Sequence, residues 1–265
     1  MIQTKKIIKT KPIVKSYEKE FEKTINAMLD LISSIYKNQV LLELNKNTIN
    51  KFTDSQVGNY AKVFVALANR VKRKLVARFN NIRIERIVKS LLLKVNNSNK
   101  DDLYNKLEKA IGINAKEVAT TEGLKSTTNA LIIETAKWVE KLRDDTITQY
   151  TNNSLRLMTL GNSLPYIVKE FNTQVDKRKD EAKFIARNQV SNFNSILTKI
   201  RLQNLGINKV RWLTSEDDRV RISHKDRDGK EFDLSKGLYS SYDKKFLLPG
   251  VDFNCRCTYE IIIED

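Results

Sequence analysis

Cysteine, histidine, proline and glycine are scarce here, with two, one, three and eight residues respectively among 265. The two cysteines, Cys255 and Cys257, lie one residue apart. Neighbours that close on an extended strand bridge each other only with strain, so a disulfide framework is excluded and a reducing compartment is the expectation. So few glycines and prolines exclude collagen-like and low-complexity sequence. No run of about 18 apolar residues occurs, which excludes a membrane-spanning helix, and no membrane partner is expected. Residues 1–12 are basic but lack a continuous apolar stretch, so they do not read as a secretory signal.

What is abundant is positive charge. Lys plus Arg number 48 against 32 Asp plus Glu, a formal net charge of +16. The excess is uneven: residues 207–265 hold 11 basic and 12 acidic residues, and residues 1–206 hold 37 and 20. The first four-fifths of the chain is thus expected to seek a polyanion or an acidic protein surface. Charge is densest from Arg70 to Lys94, where nine basic residues accompany the single acid Glu85. Arg70, Lys72, Arg73, Lys74, Arg78, Arg83, Arg86 and Lys89 are the candidate phosphate contacts, whose binding would weaken steeply with salt through counterion release. The same residues also read as the solvated face of a helix. Aromatic residues there are too few for a base-stacking platform.

Apolar periodicity predicts an α+β protein, mostly long helices with a small antiparallel β-containing C-terminal domain. Residues 1–20 read as an extended basic arm, 21–112 as a basic helical region, 113–206 as a second helical region and 207–265 as the β-containing module. Predicted helices run over about 17–44, from a cap at Asp54 or Ser55 to about 93, over 101–111, 126–150, 164–175 and 180–204, with loops at 45–53 and 96–100. Pro165 fits the first turn after a Ser163 cap, and Gly206 supplies a stop. Beyond Gly206 the period changes. Val210 with Trp212, then Val220 with Ile222, alternate with polar residues, Asp228-Gly229 signals a hairpin turn, and Cys255, Cys257, Tyr259 and Ile261 alternate again.

The chain's one histidine and both cysteines fall in this last segment. On a strand, side chains two apart share a face, so Cys255 and Cys257 would lie side by side with Arg256 turned away. With His224 as a third ligand and Asp252 as a fourth, they form a candidate metal set, and zinc is the metal that such a mixture takes. The sequence asks for no other cofactor. The same residues also read as two small buried hydrophobes and a hydrogen-bonded turn histidine. A Cys/His nucleophile pair would need a third, orienting residue, and the sequence identifies none. Asp217, Asp218, Asp226 and Asp228 could gather a metal, yet aspartate is what turns prefer for local backbone bonds. Trp212 and Phe232 read as core.

The region from about Ala115 to the end resembles the phage Mu F-like minor head, or head morphogenesis, proteins of tailed bacteriophages. The resemblance rests on an ordered series: Gly161 and the helix over 163–169, then Ile185-Ala186-Arg187-Asn188-Gln189, Gly206, Trp212-Leu213-Thr214, Asp217-Asp218-Arg219-Val220-Arg221, His224, Asp228-Gly229, Phe232, Pro249-Gly250 and Cys255-Arg256-Cys257. Within it, Arg187, Trp212, Asp217, Asp218, Gly229, Phe232, Pro249 and Arg256 are the positions that the resemblance marks as structural. Relatives carry cysteines where Arg221 and His224 stand, so the resemblance by itself implies no metal. It implies a non-enzymatic minor capsid protein in the virion interior near the portal vertex, passing through the host cytoplasm during assembly. Its partners would be the portal protein, capsid or scaffolding proteins, and DNA. The competing classes are a metal- or cysteine-dependent enzyme acting on nucleic acid, and a basic helical nucleic-acid-binding protein.

Overall fold

The computed structural model describes residues 5–10, 15–45, 54–112, 114–115, 120–121 and 123–264. Parts of the expected arm (1–4 and 11–14), most of the expected loop at 45–53 and the capping side chains of Asp54 and Ser55 lie outside the described residues. The chain runs β1 (Lys5–Lys9), α1 (Lys15–Tyr36), a π-helical turn (Lys37–Leu41) and α2 (Leu42–Asn45). Then come α3 (Asp54–Arg78), α4 (Asn81–Ile111), α5 (Leu124–Thr159) and α6 (Leu164–Asn204). The end comprises β2 (Lys209–Leu213), α7 (Ile222–Lys225), β3 (Glu231–Asp233), β4 (Leu238–Ser240), β5 (Lys245–Leu247) and β6 (Thr258–Glu264). The protein is thus α+β, with long helices and small antiparallel sheets that lie mainly in the C-terminal part.

The chain folds as two compact units that interleave along the sequence. One comprises Glu20–Ile87 and Thr135–Ile185, and its described residues are helical apart from short turns at 79–80 and 160–163. Its core is the apolar stripe of α1, where Phe21, Ile25, Met28, Leu29 and Ile32 are buried, with Phe64, Val71 and Leu75 of α3. Four rings gather there: Tyr36 stacks on Phe171 at 5.7 Å, Tyr150 tilts against Phe171 at 4.6 Å, and Phe64 meets Tyr36 edge-on at 6.5 Å. Such pairs add about 0.5–1.5 kcal/mol beyond the area they bury. Burial also pushes the Tyr36 hydroxyl up from its ordinary value and the Tyr150 hydroxyl up to about 12.

Helices α3 and α4 meet at a sharp corner. Asn80 caps α4 by accepting from the Arg83 N–H at 2.9 Å, and the buried Arg143 of α5 donates to the Phe79 carbonyl and to Asn81 Oδ1. The break after Arg78 is therefore a capped turn, where the sequence suggested a helix running on to about 93.

The other unit comprises Met1–Lys19, Val88–Glu134 and Ala186–Asp265. Two expectations are corrected in the long helices α4 and α6, each of which has residues in both units. The polar run from Asn96 to Lys100 is helical, and α4 is continuous from Asn81 to Ile111. Its asparagines are occupied from outside the helix: Arg201 donates to Asn99 Oδ1 and, at 2.6 Å, to Asn96 Oδ1, and Asn99 Nδ2 donates to Asn194 Oδ1 and Thr198 Oγ1 at 2.7 Å each. Asparagine breaks helices by bonding its own backbone, and here that competition is removed. Helix α6 is likewise unbroken through 176–179, where Arg178 bridges Glu181 one turn on at 2.6 Å. It ends as expected: Gly206 has φ 76°, and the Ile207 and Gly206 N–H groups donate to the Leu202 and Gln203 carbonyls.

The main sheet has the order β1-β6-β2-β3, all antiparallel, and β4 pairs with β5 in a hairpin. Residues 5–9 are its edge strand, with Ile7 opposite Ile262, and Thr10 fastens the end by donating to the Tyr259 carbonyl at 2.7 Å. Lysines along that edge discourage further strand pairing. Trp212 opposes Tyr259, and Val210 opposes both Ile261 and Phe232, so the core face is set by register. Trp212 and Phe232 are buried with Tyr259, Ile261, Cys255 and Cys257 in one cluster. The expected strand through Val220 and Ile222 is instead the one-turn helix α7, with Ile222 exposed.

Candidate functional site

Three connections of the second unit meet beside the sheet. Helix α7 brings His224, the segment 249–254 brings Asp252, and the run into β6 brings Cys255 and Cys257. Cysteines two apart on extended chain share a face. Between them Arg256 turns away into a bidentate ion pair with Asp217, one contact at 2.6 Å, which holds Asp217 below the usual carboxylate range. Both sulfurs therefore point into the core, where Cys255, Cys257 and His224 are all buried.

His224 Nδ1 lies 3.5 Å from Cys255 Sγ and 3.4 Å from Cys257 Sγ. The opposite ring nitrogen, Nε2, faces Asp252 Oδ2 at 3.2 Å. That carboxylate is held in turn by Arg221 at 2.9 Å, and Arg221 also donates to the Phe253 carbonyl at 2.8 Å. The structure thus brings His224, Cys255 and Cys257 together and sets Asp252 on the far edge of the imidazole, outside the ligand set. The Gly250 N–H donates to Cys255 Sγ at 3.3 Å. At Gly250 a Cβ would sit 3.2 Å from Ser195 Cβ and 3.3 Å from the Cys257 carbonyl, at φ 84°, so only glycine brings the backbone this close.

The thiols act as a pair. The hydrogen bond from Cys257, assisted by His224, pulls the Cys255 thiol below its ordinary value against the opposing effect of burial. The same bond, with burial and the charge on Cys255, pushes Cys257 up. One proton leaves readily and the second is held.

Other residues brace the site. Ser191 and Ser195, one turn apart on α6, donate to the Cys255 and Pro249 carbonyls, and Tyr259 Oη lies 2.8 Å from Ser195 Oγ. Arg227 is buried over the Trp212 ring at 5.0 Å and donates to Asp243 at 2.9 Å. Trp212 stands edge-on to His224 at 5.9 Å. The sequence reasoning missed Ser191, Ser195, Arg221 and Arg227; the four-residue spacing of the two serines was the one signal available.

The remaining marked positions make local contacts. Asp228 Oδ1 accepts from the Thr214 N–H at 2.8 Å, and Asp226 accepts from Tyr242 Oη at 2.8 Å. With Asp217 on Arg256 and Asp218 exposed, the four aspartates gather no common site. Gly229 turns the chain into β3 at φ 71°, Pro249 is buried, and Arg187 reaches Glu18 at 3.7 Å.

The basic residues of α3 and α4 stand apart from this chemistry. Arg70, Lys72, Arg73, Lys74, Arg78, Arg83, Arg86 and Lys89 are all exposed. No salt bridge to a described acidic residue engages any of the eight. At the α3–α4 corner a recess of about 590 Å³ is lined by Ile35, Gln39, Lys74, Ala77, Arg78 and Arg83.

Fold and site together define a long-helix α+β protein whose C-terminal sheet is closed over a buried His/Cys-x-Cys cluster. Residues 137–260 match the family described as Phage Mu protein F like protein, so this stretch is similar to phage head morphogenesis proteins. An "Uncharacterized protein" of Haemophilus influenzae is 26% identical over 244 residues, covering 87% of this chain and 53% of its own length. A protein of Enterococcus faecalis named NAD(+)--arginine ADP-ribosyltransferase EFV is 30% identical over 132 residues, which is 46% of this chain and 27% of that protein. The chain thus spans about half of the first relative and about a quarter of the second. No solved structure matches it. Among the described residues no helix is long and apolar enough to cross a membrane.

Proposed function

We propose that the protein is a minor capsid component of a tailed bacteriophage, lying inside the head near the portal vertex, where it binds the portal protein and packaged DNA during assembly or delivery. The observation that carries the DNA part is the set of eight exposed basic side chains on α3 and α4, which make no salt bridge to a described acidic residue. Unneutralised cations on a rigid helix are suited to a polyanion.

The docking part rests on the C-terminal module. It is near neutral by sequence, braced by buried polar contacts, and keeps Ile222, Tyr239, Tyr242, Phe246 and Phe253 exposed. Large exposed apolar side chains of this kind suit a protein–protein contact. Capsid or scaffolding proteins would be further partners, and the host cytoplasm is the place of assembly. The buried cluster holds shape in this reading and turns over no substrate.

The competing reading is enzymatic, favoured by the name of the Enterococcus relative, of which about a quarter is matched. Mixing the purified chain with the portal protein of a phage that encodes it, and sizing the mixture by chromatography with light scattering, tests the assembly role. A stable complex is expected. Independent elution of the two proteins, together with NAD⁺ consumption by the chain, would overturn it.

A further inference from the structure

The cluster at His224 has the spacing of a metal centre. In tetrahedral zinc sites the Zn–S and Zn–N bonds of about 2.3 and 2.0–2.1 Å place neighbouring sulfur and nitrogen ligands about 3.5–3.6 Å apart. Here His224 Nδ1 stands 3.5 and 3.4 Å from the two sulfurs, and the three atoms lie within 4.8 Å of one another. Among the described residues no other His, Cys, Asp or Glu joins them.

The surroundings fit the same purpose. A ligating histidine usually gives its second ring N–H to a carboxylate, which fixes the tautomer and raises its basicity. Asp252 occupies that place on Nε2, and Arg221 fixes the carboxylate. A thiolate bound to metal takes backbone N–H donors, and Gly250 supplies one to Cys255. The Trp212 indole N–H is buried without a hydrogen-bond partner. It belongs to a ring that stands edge-on to the His224 imidazole at 5.9 Å. Two independent supports, the Asp252 carboxylate and the Gly250 N–H, thus surround three convergent ligand atoms.

We propose that His224 Nδ1, Cys255 Sγ and Cys257 Sγ bind one zinc ion, with solvent in the fourth position. Both cysteines bind as thiolates, so any thiol proton still held leaves to solvent, and the neutral imidazole contributes a lone pair while its Nε2–H donates to Asp252. Two thiolates balance the dication, so no net charge is added to the core. Paired thiolates with imidazole select zinc over harder divalent ions. The ion ties α7 to the approach of β6, two segments linked otherwise through side-chain contacts. This inference stands apart from the proposed function: an assembly protein with or without zinc would still bind its portal.

The test is metal analysis of the full-length chain, purified without chelator or affinity histidines. About one zinc per chain is expected. Replacement by cobalt should give visible bands of a tetrahedral ion and near-ultraviolet sulfur-to-cobalt charge transfer of two-thiolate intensity. Cys257→Ser should roughly halve that charge transfer, and Asp252→Asn should weaken zinc affinity by about 10–100-fold while leaving the stoichiometry at saturation unchanged. Should the serine variant fail to fold, mercurial titration of the wild type decides, with one zinc released per two thiols modified. Absence of zinc with both thiols titrating independently of added zinc would overturn the proposal. So would cobalt binding without charge transfer, or zinc affinity indifferent to Asp252→Asn.

Discussion

Neutralising four cations at the α3–α4 corner should flatten the salt dependence of DNA binding far more than it lowers affinity at high salt. Arg70, Lys74 and Arg78 recur one turn apart on α3, and Arg83 and Arg86 are three apart at the start of α4, so these five are placed to meet phosphates together. Each phosphate neutralised on duplex DNA contributes about −0.9 to the slope of log affinity against log salt. Five contacts give a slope of about −4.5, which between 50 and 200 mM salt is a fall of roughly 500-fold. Replacing Lys74, Arg78, Arg83 and Arg86 with glutamine leaves one contact, a slope of about −0.9 and a fall of roughly fourfold. Because none of the four has a salt-bridge partner among the described acidic residues, the folded state should lose little. Fluorescence anisotropy of a labelled duplex, titrated across a salt series with circular dichroism as the folding control, reads both slopes. A quadruple variant with the wild-type slope would refute the reasoning, as would a wild-type affinity indifferent to salt.

Three further outcomes follow from the packing. Gly237→Ala should destabilise the β4–β5 hairpin by about 1–3 kcal/mol, read by denaturant melts, because the new Cβ would lie 2.7 Å from the Leu247 carbonyl at φ 81°; Gly229→Ala, with open space around it at φ 71°, should cost about 1 kcal/mol. Arg201→Met should lower stability by about 1.5–3 kcal/mol, since the Asn96 and Asn99 acceptors lose a charged donor, and Arg201→Lys should recover little because a single ammonium cannot span both. Stability should fall as pH rises past 10, because unfolded tyrosines ionise there whereas buried Tyr150 holds its proton to about 12; exposed tyrosines such as Tyr239 should ionise first, the tyrosinate absorbance of the buried ones should rise only with loss of the circular dichroism signal, and full tyrosinate absorbance ahead of unfolding would contradict the burial.

The long helices were legible because their apolar stripes recur at three- and four-residue steps, as in Ile25, Met28, Leu29 and Ile32, all buried. The helix through Asn96–Lys100 was not, since what makes it helical is Arg201, a hundred residues downstream. Strand β1 was hidden for the same reason: its partner is β6 at the other end of the chain. Val220 and Ile222 imitate a strand by alternation, but the Arg221 and Ile222 carbonyls take the Lys225 and Asp226 N–H groups and close a helical turn. At the candidate site, the shared face of Cys255 and Cys257 could be read from their spacing. Which edge of the imidazole Asp252 meets could not, because a loop such as 249–254 carries no period to read.

The most direct test of the central claim is the protein composition of purified, DNA-filled heads from a phage that encodes this chain. The account predicts the polypeptide at a few copies per head, retained after nuclease treatment of the particle exterior and lost when the portal is deleted. Heads that package DNA normally and lack the polypeptide would contradict it.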